Sequence, residues 1–198
     1  RFDFPLPGRH ALLDAIAAMA VAERVGTSPR DVADGLSEAK PLFGRGEIVR
    51  GKVTLVRDCY NANPDSVLAA MGFCDGLSWK GRRAYVLGSM LELGNESESA
   101  HRAMGEAAGR SRALALFFFG DETRPAFESA RSSGFKGMVV HETDFDRLRA
   151  ILSSWAREGD LVLLKGSRGM ELERLSDSLA SAAETAIGVP SSGGAGCS

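Results

Sequence analysis

With 198 residues, 44% of them hydrophobic and 25% charged, the chain carries enough apolar material to bury a core, and its length predicts one or two domains. A net charge of −2 leaves no basic excess of the kind that extended nucleic-acid binding requires. No stretch approaches the roughly 20 apolar residues of a membrane span. The three cysteines, Cys59, Cys74 and Cys197, lack metal-ligand spacing, which predicts free thiols in a reducing, cytoplasmic compartment rather than a disulfide framework.

The opening Arg1-Phe2-Asp3-Phe4-Pro5 has no signal-peptide layout, and a start on Arg at the Pro-rich end of a strand-like segment is expected of a piece of a longer polypeptide. Residues 11–25 carry apolar side chains at helical spacing and stop at Gly26. Ser28-Pro29 then supplies a cap and a first-turn proline for a second helix running to about Glu38. Residues 41–46 are rich in breakers, and a domain boundary is predicted between residues 44 and 45, because strand and helix alternate afterwards. Strands are expected at 47–50, 53–58, 83–87, 113–119, 137–141 and 160–164, and helices at 64–77, 96–110, 122–133, 144–157 and 169–186. This order predicts an α/β fold with a doubly wound, mostly parallel sheet. The segment 113–119 is apolar throughout, as expected of a parallel strand buried on both faces, so its three phenylalanines read as core. Residues 189–198 have nothing to bury and are expected to form a disordered tail.

Chemistry collects where strands hand over to helices, and the run Asp58-Cys59-Tyr60-Asn61-Ala62-Asn63-Pro64-Asp65-Ser66 lies at such a junction. The preceding strand puts Asp58 at its carboxyl end, on the crevice side of an open sheet. Asn63 can cap a helix that starts with Pro64, leaving backbone N–H groups for an anion. The alternative is an Asx-rich turn, although the run holds more polar side chains than a turn needs. A second junction, Lys165-Gly166-Ser167-Arg168-Gly169, combines two cations and a hydroxyl at a predicted helix start, which suits a carboxylate; its alternative is a basic turn in which Lys165 only flanks the strand. The glycines of segment 88–94 do not fit G-x-G-x-x-G, which removes a dinucleotide reading. Asn95 or Ser97 can cap the next helix, with Glu96 and Glu98 serving its dipole and Glu92 left open. A lone His10 at a helix start reads first as structural, Cys59 as a small filler, and no compact metal-ligand pattern is present.

Six segments, in order, resemble signatures of the Mur ligase family. Leu6-Pro7-Gly8-Arg9-His10 resembles LPGRHN, Lys40-Pro41 through Gly44-Arg45-Gly46-Glu47 resembles KPxxGRGE, and the Asp58 run resembles DDSYNANPDS. Val86 through Gly94 is similar to VLGDMLELG, His101-Arg102 through Gly105 to HRxxG, and Leu164 through Met170 to VKGSRGM. Together they span residues 6 to about 173, and the Tyr60-Asn61-Ala62-Asn63-Pro64 run points to the dipeptide-adding branch of the family.

The resemblance implies an ATP-dependent amide ligase of peptidoglycan precursor synthesis, joining D-alanyl-D-alanine to UDP-N-acetylmuramoyl-tripeptide through an acyl phosphate. Such chemistry needs a P-loop, Mg2+ and charge compensation at the transferred phosphoryl group. The chain has no G-x-x-x-x-G-K-[ST] sequence. The resemblance therefore implies that the catalytic residues and Mg2+ ligands lie upstream of Arg1, in missing N-terminal and central domains, and that this chain alone does not turn over. It also implies that residues 1–44 finish the P-loop-type central ATP-binding domain and that 45–188 form a Rossmann-like closing, substrate-binding domain. On the ATP side it places Arg45 at phosphate oxygens, Asp58 at the ribose hydroxyls, and His10 and Asp14 near adenine. On the substrate side it places Tyr60, Asn61, Asn63, Ser167 and Arg168. The chain departs from the family in three places: Ala11 and Asp14 replace the asparagines of HNxxN, Ser89 replaces the aspartate of GDM, and Arg57-Asp58-Cys59 replaces an acidic pair followed by Ser. Two other readings stand beside this one: a sister ligase that adds another amino acid, and a non-catalytic binding module favoured by Ala11, Asp14 and Ser89.

Overall fold

The computed structural model describes residues 4–6 and 8–181, so the predicted tail at 189–198 and the end of the predicted last helix lie outside the described residues. The chain opens with α1 (Arg9–Arg24) and α2 (Pro29–Ser37). Gly26 ends the first turn of connection with φ 82°, a left-handed value that favours glycine just past a helix. Ser28 caps α2 as predicted, its Oγ accepting from the Asp31 N–H at 3.2 Å ahead of Pro29.

The alternating region follows with β1 (Glu47–Val49), β2 (Thr54–Asp58), α3 (Pro64–Gly76), β3 (Arg83–Gly88), α4 (Ser97–Gly109), β4 (Ala115–Phe119), α5 (Arg124–Ser132), β5 (Met138–Glu142), α6 (Phe145–Trp155), β6 (Leu161–Lys165) and α7 (Leu175–Ser181). The strands form one six-stranded sheet in the order β1-β2-β6-β3-β4-β5. Only β1 runs antiparallel, against β2, and every other neighbour pair is parallel. The predicted α/β, mostly parallel architecture is what the chain adopts.

Strands β3, β4 and β6 are apolar on both faces because helices cover both faces. On one side Tyr85, Leu87, Leu116, Phe118 and Leu163 pack with Val67 and Met71 of α3, Met104 and Ala108 of α4, and Ala126 and Ala130 of α5. On the other, Val86, Phe117, Val162 and Leu164 meet Leu148 and Leu152 of α6 and Leu175 and Leu179 of α7. Each fully buried Leu or Phe contributes about 1.5–3 kcal/mol, so these two layers dominate the stability of the domain. The phenylalanines of β4 are core, as expected, but Leu114 just before the strand is 52% exposed, which shortens the predicted strand at its start.

Two local expectations are corrected. The segment after β6 does not open a long helix at residue 169. It makes two 3₁₀ turns, Arg168–Met170 and Leu172–Arg174, joined by Glu171 at φ 47°, and α7 starts only at Leu175. Packing explains this: a Cβ on Gly166 would lie 3.0 Å from Leu172 Cδ1, and one on Gly88 3.1 Å from Met170 Cγ, so Met170 and Leu172 fold back onto two glycines at the sheet edge. The start of α4 is the second correction. A 3₁₀ turn at Gly94–Glu96 leads into it, and neither Asn95 nor Ser97 caps it through a side chain.

Candidate functional site

The carboxyl ends of β2, β6, β3 and β4 share one edge of the sheet, and a cleft of about 450 Å³ opens there between β2, β6 and α1. The parallel register sets Asp58, the last residue of β2, beside Lys165, the last of β6. Lys165 Nζ lies 3.1 Å from Asp58 Oδ2 and also donates to the Asn61 carbonyl. The Lys165 side chain is 2% exposed and that of Asp58 24%. Burial lowers the Lys165 pKa, and the facing Asp58 carboxylate pushes it back up in part. Lys165 therefore anchors Asp58 and the loop after it. The reading in which it merely flanks the strand is corrected.

Arg45 sits between Gly44 and Gly46, both at φ 68°. The Gly44 carbonyl accepts from the Tyr60 N–H at 3.0 Å, and a Cβ on Gly44 would stand 3.2 Å from that nitrogen, so the two loops meet here because residue 44 has no side chain. This contact puts the Arg45 guanidinium 4.3 Å over the Tyr60 ring, a cation–π arrangement that pre-aims the cation at the cleft. Asn63 caps α3 as predicted, Oδ1 accepting from Ser66 N–H at 2.8 Å while Ser66 Oγ accepts from Asn63 N–H at 3.1 Å. Asn61 Oδ1 likewise accepts from the Ala62 N–H at 2.9 Å. Both asparagines thus spend their oxygens on the local backbone and line the cleft.

Asp14 and Ala11 of α1 form the opposing wall. Three of the residues expected on the ATP side, Asp14, Arg45 and Asp58, therefore line one cleft, although they come from three separate segments. The side chain of His10 lies outside the described part of the structure. On the substrate side Asn61 and Asn63 join that cleft, and Tyr60 reaches it through Arg45.

Ser167 and Arg168 do not line the cleft. Ser167 is buried, its Oγ accepts from the Leu91 N–H at 2.9 Å and its own N–H donates to the Ser89 carbonyl at 3.1 Å, so it ties two strand-end loops together. Arg168 pairs with Glu173 at 2.9 Å and lies 5.8 Å from the centre of the Phe43 ring. With a 3₁₀ turn after β6 instead of an α-helix, the helix N-terminus expected there is absent.

Three residues gain roles that sequence reasoning missed. Lys165 was visible as a lysine closing an apolar strand, a type rarely buried without a partner. Glu122, in the turn after β4, accepts from Ser89 Oγ at 2.6 Å, and that bond is the main reason its carboxyl pKa is lowered. Buried His101 accepts at Nε2 from the Met90 N–H (3.0 Å) and donates from Nδ1 to the Ser97 carbonyl (2.7 Å); a carbonyl can only accept, so the proton sits on Nδ1 and the ring is neutral. Burial accordingly lowers its pKa. Arg57, one of the departures noted above, is answered by Glu47 at 2.8 Å across the β1–β2 pair. Glu92 is exposed and left-handed at φ 65°. Among the described residues no group of three or more His, Cys, Asp or Glu could hold a metal ion.

A family model described as Mur ligase, glutamate ligase domain, matches residues 44–168. The UDP-N-acetylmuramoyl-tripeptide--D-alanyl-D-alanine ligase of Treponema pallidum (strain Nichols) is 38% identical over 171 residues, covering 86% of this chain and 37% of that protein. The enzyme of the same name from Bacillus subtilis (strain 168) is 34% identical over 176 residues, covering 88% of this chain and 38% of its own length. The chain thus spans 37–38% of the length of these relatives. A crystal structure of MurF from Acinetobacter baumannii matches with a TM-score of 0.76 at 27% identity over 91% of this chain and 40% of that one. MurF ligase from Thermotoga maritima, solved in complex with ADP, shares the fold with a TM-score of 0.74 at 23% identity, over 92% of this chain and 40% of that one.

Proposed function

Since the chain belongs to the Mur ligase family, whose glutamate ligase domain it carries over residues 44–168, we propose that it is the C-terminal portion of a cytoplasmic, ATP-dependent ligase joining D-alanyl-D-alanine to UDP-N-acetylmuramoyl-tripeptide. The observation that carries this reading is the convergence of Asp14, Arg45 and Asp58 on one cleft at the carboxyl edge of the sheet. The name shared by the Treponema pallidum and Bacillus subtilis relatives supports the choice of acceptor.

In this reading Asp58 accepts hydrogen bonds from the ribose hydroxyls, held in place by Lys165. Arg45, stacked on Tyr60, presents its fork to phosphate oxygens as the domains close. Asp14 faces adenine together with His10, and Asp14 contributes acceptors only where the family shows asparagine. Asn61, Asn63 and Tyr60 face the acceptor side. Ser167 and Arg168 shape it from behind, through the Ser167 bond to the Leu91 N–H and the Arg168 pair with Glu173. Closure brings the amine against the acyl phosphate, so the contribution of this domain is positioning.

Residues 1–44 finish a P-loop-type central domain in this proposal, and 45–188 form the closing domain. Supporting this, Leu12, Leu13 and Ile16 of α1 are each half exposed, with Val21 and Val25 at its end more so, apolar surface that a preceding domain would cover. In this reading the Mg2+ ligands, like the P-loop, belong to that upstream region.

The test is product formation by the full-length protein with ATP, the tripeptide nucleotide and D-alanyl-D-alanine. The expected results are ADP, phosphate and the ligated product, with Arg45→Ala and Asp58→Ala raising the KM for ATP and the 198-residue chain alone inactive. A panel of single amino acids as acceptors separates a sister ligase. The non-catalytic reading, which rests on Ala11, Asp14 and Ser89, instead requires a full-length protein that binds no ATP.

A further inference from the structure

Ser89 follows β3, at the position where the resembled GDM motif carries aspartate, and the structure answers that lost charge from the turn after β4. The serine is fully buried and fixed on three sides. Its N–H donates to the Phe119 carbonyl at 3.0 Å, its carbonyl accepts from the Ser167 N–H at 3.1 Å, and its hydroxyl donates to Glu122 Oε2 at 2.6 Å. The turn that carries Glu122 runs directly over this hydroxyl. Gly120 stands at φ 105°, and a Cβ there would lie 2.3 Å from Ser89 Oγ, so only glycine lets the backbone pass and brings Glu122 to this spot.

The Glu122 carboxylate faces solvent at the carboxyl edge of the sheet, and among the described residues no lysine or arginine pairs with it. Its neighbour Arg124 turns instead to Glu128 at 3.1 Å. His101 nearby is neutral and has both ring nitrogens engaged. The result is an exposed carboxylate held by two neutral donors, the Ser89 hydroxyl and its own backbone N–H, with no cation paired to it among the described residues. Between β2 and β4 lie three strand spacings, about 14 Å, which separates Glu122 from the ribose-side carboxylate Asp58 and puts it on the opposite flank of the crevice.

We propose that Glu122 receives the ammonium group of the incoming acceptor, carrying the charge that the motif places at residue 89, with Ser89 as its positioning residue. This rests on the ligase reading above and deepens it. An α-amino group with a pKa of about 7.7–8.0 arrives largely as a cation at neutral pH, and a carboxylate binds and orients it through charge-assisted hydrogen bonds. Ser89 acts by fixing one carboxylate oxygen, so that the other is directed to the amine.

The test is a charge-swap cycle in the full-length enzyme, comparing wild type with Glu122→Gln, Ser89→Asp and the double variant, and measuring the KM for D-alanyl-D-alanine and for ATP separately. Glu122→Gln is expected to raise the acceptor KM about 10- to 100-fold and leave the ATP KM unchanged. The double variant, with the carboxylate moved to residue 89, is expected to recover most of that loss. Ser89→Asp alone sets two carboxylates against each other and lowers the thermal midpoint, a penalty that disappears in the double variant. N-acetyl-D-alanyl-D-alanine, which has no ammonium, should inhibit wild type and Glu122→Gln equally. An unchanged acceptor KM in Glu122→Gln, or a double variant no better than that single one, overturns the proposal while leaving the ligase reading intact. A wild-type protein that forms no product overturns both.

Discussion

Replacing Asp58 by Asn should destabilise this chain more than replacing Lys165 by Met, because the two ends of the ion pair are unequally buried. Lys165 is 2% exposed and Asp58 24%. Asp58→Asn keeps an oxygen acceptor but removes the charge that answers a dry ammonium. Lys165 must then stay charged and uncompensated or give up its proton. Holding a lysine neutral at pH 7.5, about three pH units below its ordinary pKa of about 10.4, costs about 4 kcal/mol, which caps the penalty. That cap falls within the roughly 3–5 kcal/mol expected for breaking a buried pair. Lys165→Met instead leaves a carboxylate that water can reach from the cleft, at a cost of about 1–3 kcal/mol. Urea unfolding followed by the fluorescence of Trp79 and Trp155 reads both losses. The pH dependence gives a second signature. Burial holds the folded pKa of Lys165 below its unfolded value, and more so without Asp58, so between those two values the unfolded chain holds the extra proton. The stability of Asp58→Asn should therefore rise with pH across that window, by up to about 1.4 kcal/mol per pH unit. A loss in Lys165→Met as large as that in Asp58→Asn, with no steeper pH slope than wild type, would refute the reasoning and mean that Nζ keeps its water.

Gly105→Ala puts a Cβ 2.1 Å from the Ala126 carbonyl oxygen between α4 and α5 and should cost about 3 kcal/mol or more, whereas Gly72→Ala, with nothing within 4 Å, should stabilise α3 by about 0.5–1 kcal/mol; thermal unfolding compares them. Because the folded pKa of His101 is lowered, the unfolded chain takes up the proton first, so stability is full above about pH 6.5 and falls as the pH drops below it, and His101→Asn should flatten that limb of a pH series. Tyr60→Leu removes the ring under Arg45, a loss of about 0.5–1 kcal/mol that should raise the KM for ATP of the full-length protein about two- to fivefold. Burial raises the thiol of Cys59 to about 11 and that of Cys74 to about 12, so at pH 8 both should resist a thiol reagent in the folded chain and react promptly in urea.

Features encoded within a few residues were legible in the sequence. The Ser28 and Asn63 caps, the prolines after them and the apolar run of β4 each depend on neighbours along the chain, and each stands where the pattern put it. The segment after β6 was misread because its course depends on tertiary packing, with Met170 and Leu172 seated on Gly88 and Gly166. The cleft followed the same division. Asp58 and Arg45 could be singled out from their segments, but Lys165 reaches the Asn61 carbonyl across 104 residues, and Ser89 meets Glu122 across 33. Neither pairing has a local signal, since both are created by which strand lies beside which.

The position of β6 in the sheet also has a consequence for how the domain is made. Among the described strands it is the last in chain order, yet it lies between β2 and β3, so until it is made the chain holds two separate pieces, β1-β2 and β3-β4-β5, each with an open inner edge. Joining them is a long-range event of the kind that slows folding and leaves partly folded chains open to association. Asp58 waits through all of this without its lysine. The strand that welds the two half-sheets delivers Lys165 in the same step, so the Asp58 carboxylate is fixed only in a chain that has finished folding, and a copy broken off before residue 161 has neither the joined sheet nor the Lys165 wall of the cleft.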